Sequence, residues 1–145
     1  MKTRIGILIV LTLLIFQVTG YTQDKLYKDG AVWTVGFIKV GANMGRDYLN
    51  SLQSSWKAVH EEAVRQGLIV SYKILHGSAA NPDDWDIMLL TEYKDLASMD
   101  GQDDKWDAIE KKVMGSEDNM KKLNETRVNM RTIYGTKLLR EVIFK

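Results

Sequence analysis

The chain has 145 residues, with 20 Lys and Arg against 19 Asp and Glu, and it contains no cysteine. This balance of charge argues against nucleic-acid binding, which requires a basic surface that follows the phosphates. Without cysteine, neither a disulfide nor a lipid-modified cysteine is possible, and the length suits one domain with its own core.

The first 20 residues have the layout of a secretory signal peptide. Lys2 and Arg4 precede the apolar run Ile5–Phe16, and Val18–Gly20 supplies compact residues at the cleavage position. The run has 12 residues, whereas a membrane-spanning helix needs ~20. We therefore expect cleavage, export to the periplasm or the cell exterior, and no membrane association afterwards. Loss of Lys2 and Arg4 leaves 18 basic and 19 acidic residues.

The predicted elements begin after a leader. Residues 21–30 are polar and aperiodic, which predicts a flexible leader before a domain over residues 31–145. Ala31–Val40 is rich in β-branched and aromatic residues and apolar on both alternating faces, which predicts a strand covered on both sides. An amphipathic helix of about twenty residues follows from Arg46 and stops at Gly67.

Two further strands, two helical runs and a last strand complete the prediction. Leu68–Leu75 and Trp85–Tyr93 read as strands that pair through a turn-rich loop. Helical spacing returns at Trp106 and continues in two runs to a stop at Gly135. Lys137–Phe144 is the last predicted strand.

This order of elements is the split β-α-β pattern of ferredoxin-like α+β domains. It predicts a four-stranded antiparallel sheet with helices on one face only. Because the first and third strands are apolar on both faces, the uncovered face would leave apolar surface in water. We therefore expect a homodimer packed sheet against sheet, a dimeric α+β barrel that encloses a lined cavity between its subunits.

The segment Ser55–Ile69, followed by a strand, a loop and the strand Trp85–Tyr93, resembles the dimeric α+β barrel superfamily. Within it, the similarity is to NIPSNAP-like and antibiotic-biosynthesis-monooxygenase-like domains, especially small secreted bacterial proteins of unknown function. It spans residues from Val32 to Phe144. The resemblance implies a homodimer whose barrel holds a small apolar or aromatic molecule. It fixes no activity, because members include cofactor-independent monooxygenases, haem-handling proteins and proteins without a known reaction.

The two histidines are the candidate catalytic residues. His60 shares one side of its helix with Trp56. It is either a haem or metal ligand or proton carrier, or, as we favour, a boundary residue hydrogen-bonded to a neighbour. No second histidine follows at the spacing of a helical metal site, so we expect neither a metal nor a cofactor. His76 ends a strand at a loop mouth, a common place for functional side chains.

Five aromatic residues are the candidate ligand-binding side chains: Trp33, Phe37, Trp56, Tyr72 and Tyr93. Such rings can form a stacking pocket for a flat ligand. Aromatic residues at core spacing are more often part of the core, and their distribution between the two sheet faces decides between these interpretations.

The loop before the third strand gathers oxygen-bearing side chains at Asn81, Asp83, Asp84 and Asp86. Calcium accepts such ligands. The spacing matches no calcium-binding loop, and Asn-Pro-Asp-Asp is typical of turns, which is the interpretation we favour.

The sequence thus favours a homodimer that binds a small hydrophobic or aromatic molecule. One alternative is a cofactor-independent monooxygenase or haem-degrading enzyme with His60 or His76 as proton relay. Another is a non-catalytic interaction module of the cell envelope. Motifs of nucleophilic enzymes and phosphate-binding loops are absent from the sequence.

Overall fold

The sheet has four antiparallel strands in the order β2-β3-β1-β4, and its helices cover one face. The computed structural model describes residues 25–145, so the expected signal peptide lies outside the described residues. This strand order is that of a ferredoxin-like α+β fold, and the predicted fold class is confirmed. The strands are β1 (Tyr27–Val40), β2 (Ser71–His76), β3 (Ile87–Tyr93) and β4 (Arg131–Phe144).

The predicted long helix is present and contains a π-helical turn. It stops as expected at Gly67, whose φ of +71° suits a residue without a Cβ. In the second helical region, the Ser116 hydroxyl accepts a hydrogen bond from the Asn119 backbone N–H at 3.2 Å and caps the last helix. Within residues 25–145, no helix has the length and apolar character needed to span a bilayer. The helical elements are α1 (Gly45–Leu52), the π-helical turn Gln53–Lys57, α2 (Ala58–Arg65), the 3-10 turn Ala97–Met99, α3 (Asp103–Met114) and α4 (Glu117–Val128).

Two buried clusters hold the helices against the sheet. In the first, Tyr48 and Leu52 of α1 pack on β1 and β3 without any exposed surface. In the second, α2 packs against Ile109 of α3, which is equally buried. Along the paired strands, Thr34 and Thr91 lie opposite each other on the face that carries these clusters. Polar residues therefore occupy the middle of this face.

The predicted starts of all four strands are wrong. Strand β1 begins at Tyr27, which pairs with Phe144, so residues 27–30 belong to the sheet rather than to a flexible leader. Strands β2 and β3 begin later than predicted, at Ser71 and Ile87.

The last helix ends at Val128, and residues 131–135 belong to β4 rather than to a helix. The register passes from Phe37↔Gly135 to Ile38↔Ile133, so Tyr134 is the extra residue of a β-bulge. A bulge interrupts the period-two alternation that identifies a strand. Met130 and Tyr134 are four residues apart, which matches the helical period although Tyr134 belongs to β4.

The sheet face without helices is less apolar than the sequence predicts, because Lys73, Glu92 and Lys137 lie on it among the apolar residues. It carries Trp33, Val35 and Phe37 of β1, which alternate with the helix-facing residues. Strand β4 is an edge strand, and its apolar side chains are exposed on both faces: Ile133, Tyr134, Leu138, Leu139, Val142, Ile143 and Phe144.

Candidate functional site

A cavity of about 420 Å³ lies between the helix-covered face of the sheet and the helices. Its volume falls in the range of small-molecule sites, about 300–1,000 Å³. Glu110 and Asn124 line it and are exposed, so the cavity opens to solvent between α3 and α4. Its other lining residues are Thr34, Ser55, Trp56, Val59, His60, Thr91, Tyr93, Trp106, Met114, Met120 and Arg127.

A second space of about 240 Å³ continues from the first along the sheet. The two share Thr34, Trp56, Thr91 and Arg127, and the second reaches Arg131. The cavity therefore has an aromatic part near His60 and a part flanked by two arginines.

His60 is held on both ring nitrogens. Its Nδ1 lies 2.7 Å from the Trp56 carbonyl oxygen, and its Nε2 lies 3.0 Å from the Thr91 hydroxyl. A carbonyl only accepts, so Nδ1 carries the hydrogen and the Thr91 hydroxyl donates to Nε2. Burial lowers the pKa of His60 to about 4, although the bond to the Trp56 carbonyl acts in the opposite direction. His60 is therefore neutral near pH 7.

This geometry supports the interpretation of His60 as a hydrogen-bonded structural residue. It is more deeply buried than a boundary position would be, with 9% of its surface exposed. Both nitrogens are already used, so neither is free to bind a metal or accept a proton from a ligand. Across residues 25–145, no group of three or more His, Asp or Glu side chains is arranged to hold a metal ion.

Aromatic rings surround the His60 imidazole. Trp56 stacks on it with ring centroids 3.7 Å apart and planes inclined by 27°. Trp106 approaches from α3 with a centroid distance of 5.7 Å. Tyr72 meets both Trp56 and His60 edge-on, at 5.5 and 5.7 Å. The π-helical turn that carries Trp56 is of a kind found frequently at functional sites.

The five predicted ligand-binding residues are divided between the two sheet faces. Trp56 and Tyr93 line the cavity, and Tyr72 packs behind the Trp56 ring. Phe37 instead contacts Trp85 edge-on at 5.4 Å, and the two line a more open depression of about 430 Å³. Trp33, on the same helix-free face as Phe37, lies under the Lys73 ammonium at 5.3 Å. The structure therefore does not bring the five together.

His76 lies apart from this site. It ends β2 opposite Ile87, is exposed, and is not among the residues that line the cavity. The two histidines do not flank a common entrance, because His60 lies inside the protein.

In the loop before β3, the acidic side chains accept hydrogen bonds from backbone N–H groups, as the turn interpretation predicts. Asp84 accepts from the backbone N–H of Ala80 and of Trp85, each at 2.8 Å. Asp86 accepts from the Val40 N–H at 3.0 Å and lies 3.8 Å from the Lys39 ammonium. The oxygens are thus used to hold the loop against β1.

Arg127 is the residue of this site that sequence reasoning missed. Among residues 117–128 of α4 it is the only buried one, with 8% of its surface exposed. Its Nε finds no hydrogen-bond partner within the described chain. The available signal was its place among Met120, Leu123 and Met130 at helical core spacing, where a charged residue is unusual.

The comparisons with known proteins assign no function to the chain. No protein-family model matches the chain, and no curated protein matches it. Among solved structures, it is similar to a dimeric ferredoxin-like protein from an uncultured marine organism. The two share 16% identity over 80% of this chain and 90% of the other, with a TM-score of 0.47.

Proposed function

We propose that the cavity between sheet and helices binds a small molecule with an aromatic or apolar body. The observation that carries this proposal is a solvent-connected space of about 420 Å³ beside the rings of Trp56 and Trp106. Aromatic walls offer large contact area and stacking to a flat ligand.

The site supports binding better than catalysis. His60 is the only histidine at the cavity, and both of its nitrogens have partners within the described residues. A proton relay through His60 would first have to break its bond to Thr91 or to the Trp56 carbonyl. The monooxygenase and haem-degrading hypotheses, drawn from the resemblance to monooxygenase-like domains, therefore stay alternatives, as does a cell-envelope interaction module.

The proposed function includes a homodimer and export. Dimerisation is supported by the long edge strand β4, whose apolar side chains such as Leu139 and Phe144 are exposed. An unpaired apolar edge is a template for association, and pairing with a second copy covers it. Export is supported by the signal-like sequence of residues 1–20.

A fluorescent probe tests the binding proposal. N-phenyl-1-naphthylamine is uncharged, aromatic and brighter in apolar surroundings. We expect saturable binding to the purified protein. Replacing Trp106, at the cavity, by leucine should weaken binding roughly tenfold, since a lost aromatic contact is worth about 1 kcal/mol beyond its area.

Trp33→Leu is the matched control, because it removes the same ring from the opposite sheet face. Binding should be unchanged in this variant. Weaker binding in Trp33→Leu with normal binding in Trp106→Leu would place the probe on the helix-free face and contradict the proposal. Thermal melting of both variants verifies that each is folded.

A further inference from the structure

Arg127 presents a buried positive charge without a partner. Its side chain takes part in none of the ion pairs of residues 25–145, and its buried Nε makes no hydrogen bond there. Buried charges in proteins are normally paired, because removal from water is costly without compensation. An arginine remains protonated even where burial lowers its pKa, as it does for Arg127. Among residues 25–145, this cation therefore has no ion-pair partner, and its buried Nε has no acceptor.

Arg127 lines the proposed binding cavity. It borders both the aromatic part and the extension toward Arg131. Arg131 lines only the extension, where its Nη1 donates to the Tyr48 hydroxyl at 2.6 Å. The neighbouring charge of Arg131 also lowers the pKa of Arg127. Two cations thus flank one end of a space whose other end is aromatic.

Glu110 is the acidic group at this cavity. It is exposed at the opening, and its charge acts on Arg127 in the stabilising direction. It forms no ion pair with Arg127 within the described chain. Glu110 does not accept a hydrogen bond from Arg127 directly, whereas an anion inside the cavity could do so.

We propose that the ligand of this cavity is an aromatic or apolar carboxylate, whose carboxylate group pairs with Arg127 while its apolar body packs against Trp56 and Trp106. The inference rests on the proposed function, since it names the chemical class of the molecule bound there. Arg131 contributes a second positive charge beside the carboxylate. A planar carboxylate suits a guanidinium, which offers two parallel donors.

A matched pair of competitors tests the proposal. 2-Naphthoate and 2-naphthamide have the same ring system and differ in charge, and each is measured by displacement of N-phenyl-1-naphthylamine. The wild-type protein should bind the naphthoate roughly 10- to 100-fold more tightly than the amide, the range for hydrogen bonds to a charged group. In Arg127→Met the preference for naphthoate over the amide should disappear. Glu110→Gln should strengthen naphthoate binding, because it removes a repelling charge.

A second readout separates a ligand-binding arginine from a structural one. Without ligand, Arg127→Met should melt at a higher temperature than the wild type, because an unpaired buried charge is replaced by an apolar side chain of similar length. If Arg127 served the fold, the same change would lower the melting temperature. Should Arg127→Met fail to fold, that outcome also counts against the proposal.

The outcomes distinguish this inference from the proposed function. Probe binding that ignores Trp106→Leu overturns the proposed function itself. Probe binding that depends on Trp106, combined with equal affinity for naphthoate and naphthamide, overturns only the carboxylate. A naphthoate preference that survives Arg127→Met overturns the role of Arg127.

Discussion

Wild-type protein should lose stability between pH 6.5 and pH 4 through the His60 imidazole. Replacement of His60 by glutamine should remove this contribution. In the folded protein the pKa of His60 is about 4, whereas the value for the group in water is 6.5. Above pH 6.5 the imidazole is neutral in both states, so it contributes no pH dependence. As the pH falls from 6.5 toward 4, the unfolded chain binds a proton that the folded protein excludes, and the free energy of unfolding decreases. Below pH 4 both states are protonated, and the decrease ends.

The size of this effect follows from the two pKa values of His60. At 1.36 kcal/mol for each pH unit between 6.5 and 4, the wild type should lose about 3 kcal/mol of stability through this group. Carboxylates also titrate in acid, but they are common to both proteins. The difference between wild type and His60→Gln therefore isolates the imidazole. Glutamine retains a neutral group that hydrogen-bonds but does not titrate.

Urea unfolding at pH 7, 6, 5 and 4 measures this difference. The stability of His60→Gln should decline less than that of the wild type over this range. His76→Gln is the control, because it makes the same substitution at an exposed position outside the site. Parallel curves for wild type and His60→Gln would refute the buried neutral imidazole. A weaker pH dependence of stability in His76→Gln but not in His60→Gln would contradict the assignment of this effect to His60.

Substitutions at Ile109, Gly67 and Ser116, two of them with a control variant, test the fold by urea unfolding at pH 7. Ile109→Ala should cost about 3 kcal/mol, since the side chain is fully buried, and a loss below 1 kcal/mol would contradict its place in the core. Gly67→Ala should cost about 1 kcal/mol because φ there is +71°, whereas Gly45→Ala, at the start of α1, should change stability by only a few tenths of a kcal/mol. Equal effects at the two glycines would exclude backbone strain at Gly67. Ser116→Ala should cost about 1 kcal/mol, and Ser116→Asp, which retains a cap, should not.

The fold was predictable where the signal is local. The helical period over Arg46–Arg65 and the stop at Gly67 depend on neighbouring residues, and both agree with the structure. The pairing of Tyr27 with Phe144 joins the two ends of the domain, and no local pattern reports it. The beginning of β4 was also missed, because the bulge at Tyr134 changes the register with β1, and a register shift is visible only when both strands are known.

The site was predictable only in part. Trp56 was identified as an aromatic residue on the apolar face of a helix, and it does line the cavity. Trp33 and Phe37 were grouped with it although the alternation of β1 places them on the opposite face. The cavity forms where α3 and α4 meet the sheet, so the role of Arg127 depends on packing between segments distant in sequence. The sequence also suggested a cavity between subunits, whereas the cavity described above lies within one protomer.

The four tryptophans allow the most direct test of the binding site. Trp56 and Trp106 line the cavity, while Trp33 and Trp85 lie with Phe37 on the other side of the sheet. Each indole N–H gives a separate signal in a ¹H–¹⁵N correlation spectrum. On titration with 2-naphthoate, the indole signals of Trp56 and Trp106 should shift and those of Trp33 and Trp85 should stay. Shifts confined to Trp33 and Trp85 would place the ligand on the helix-free face and would contradict a site between the sheet and the helices.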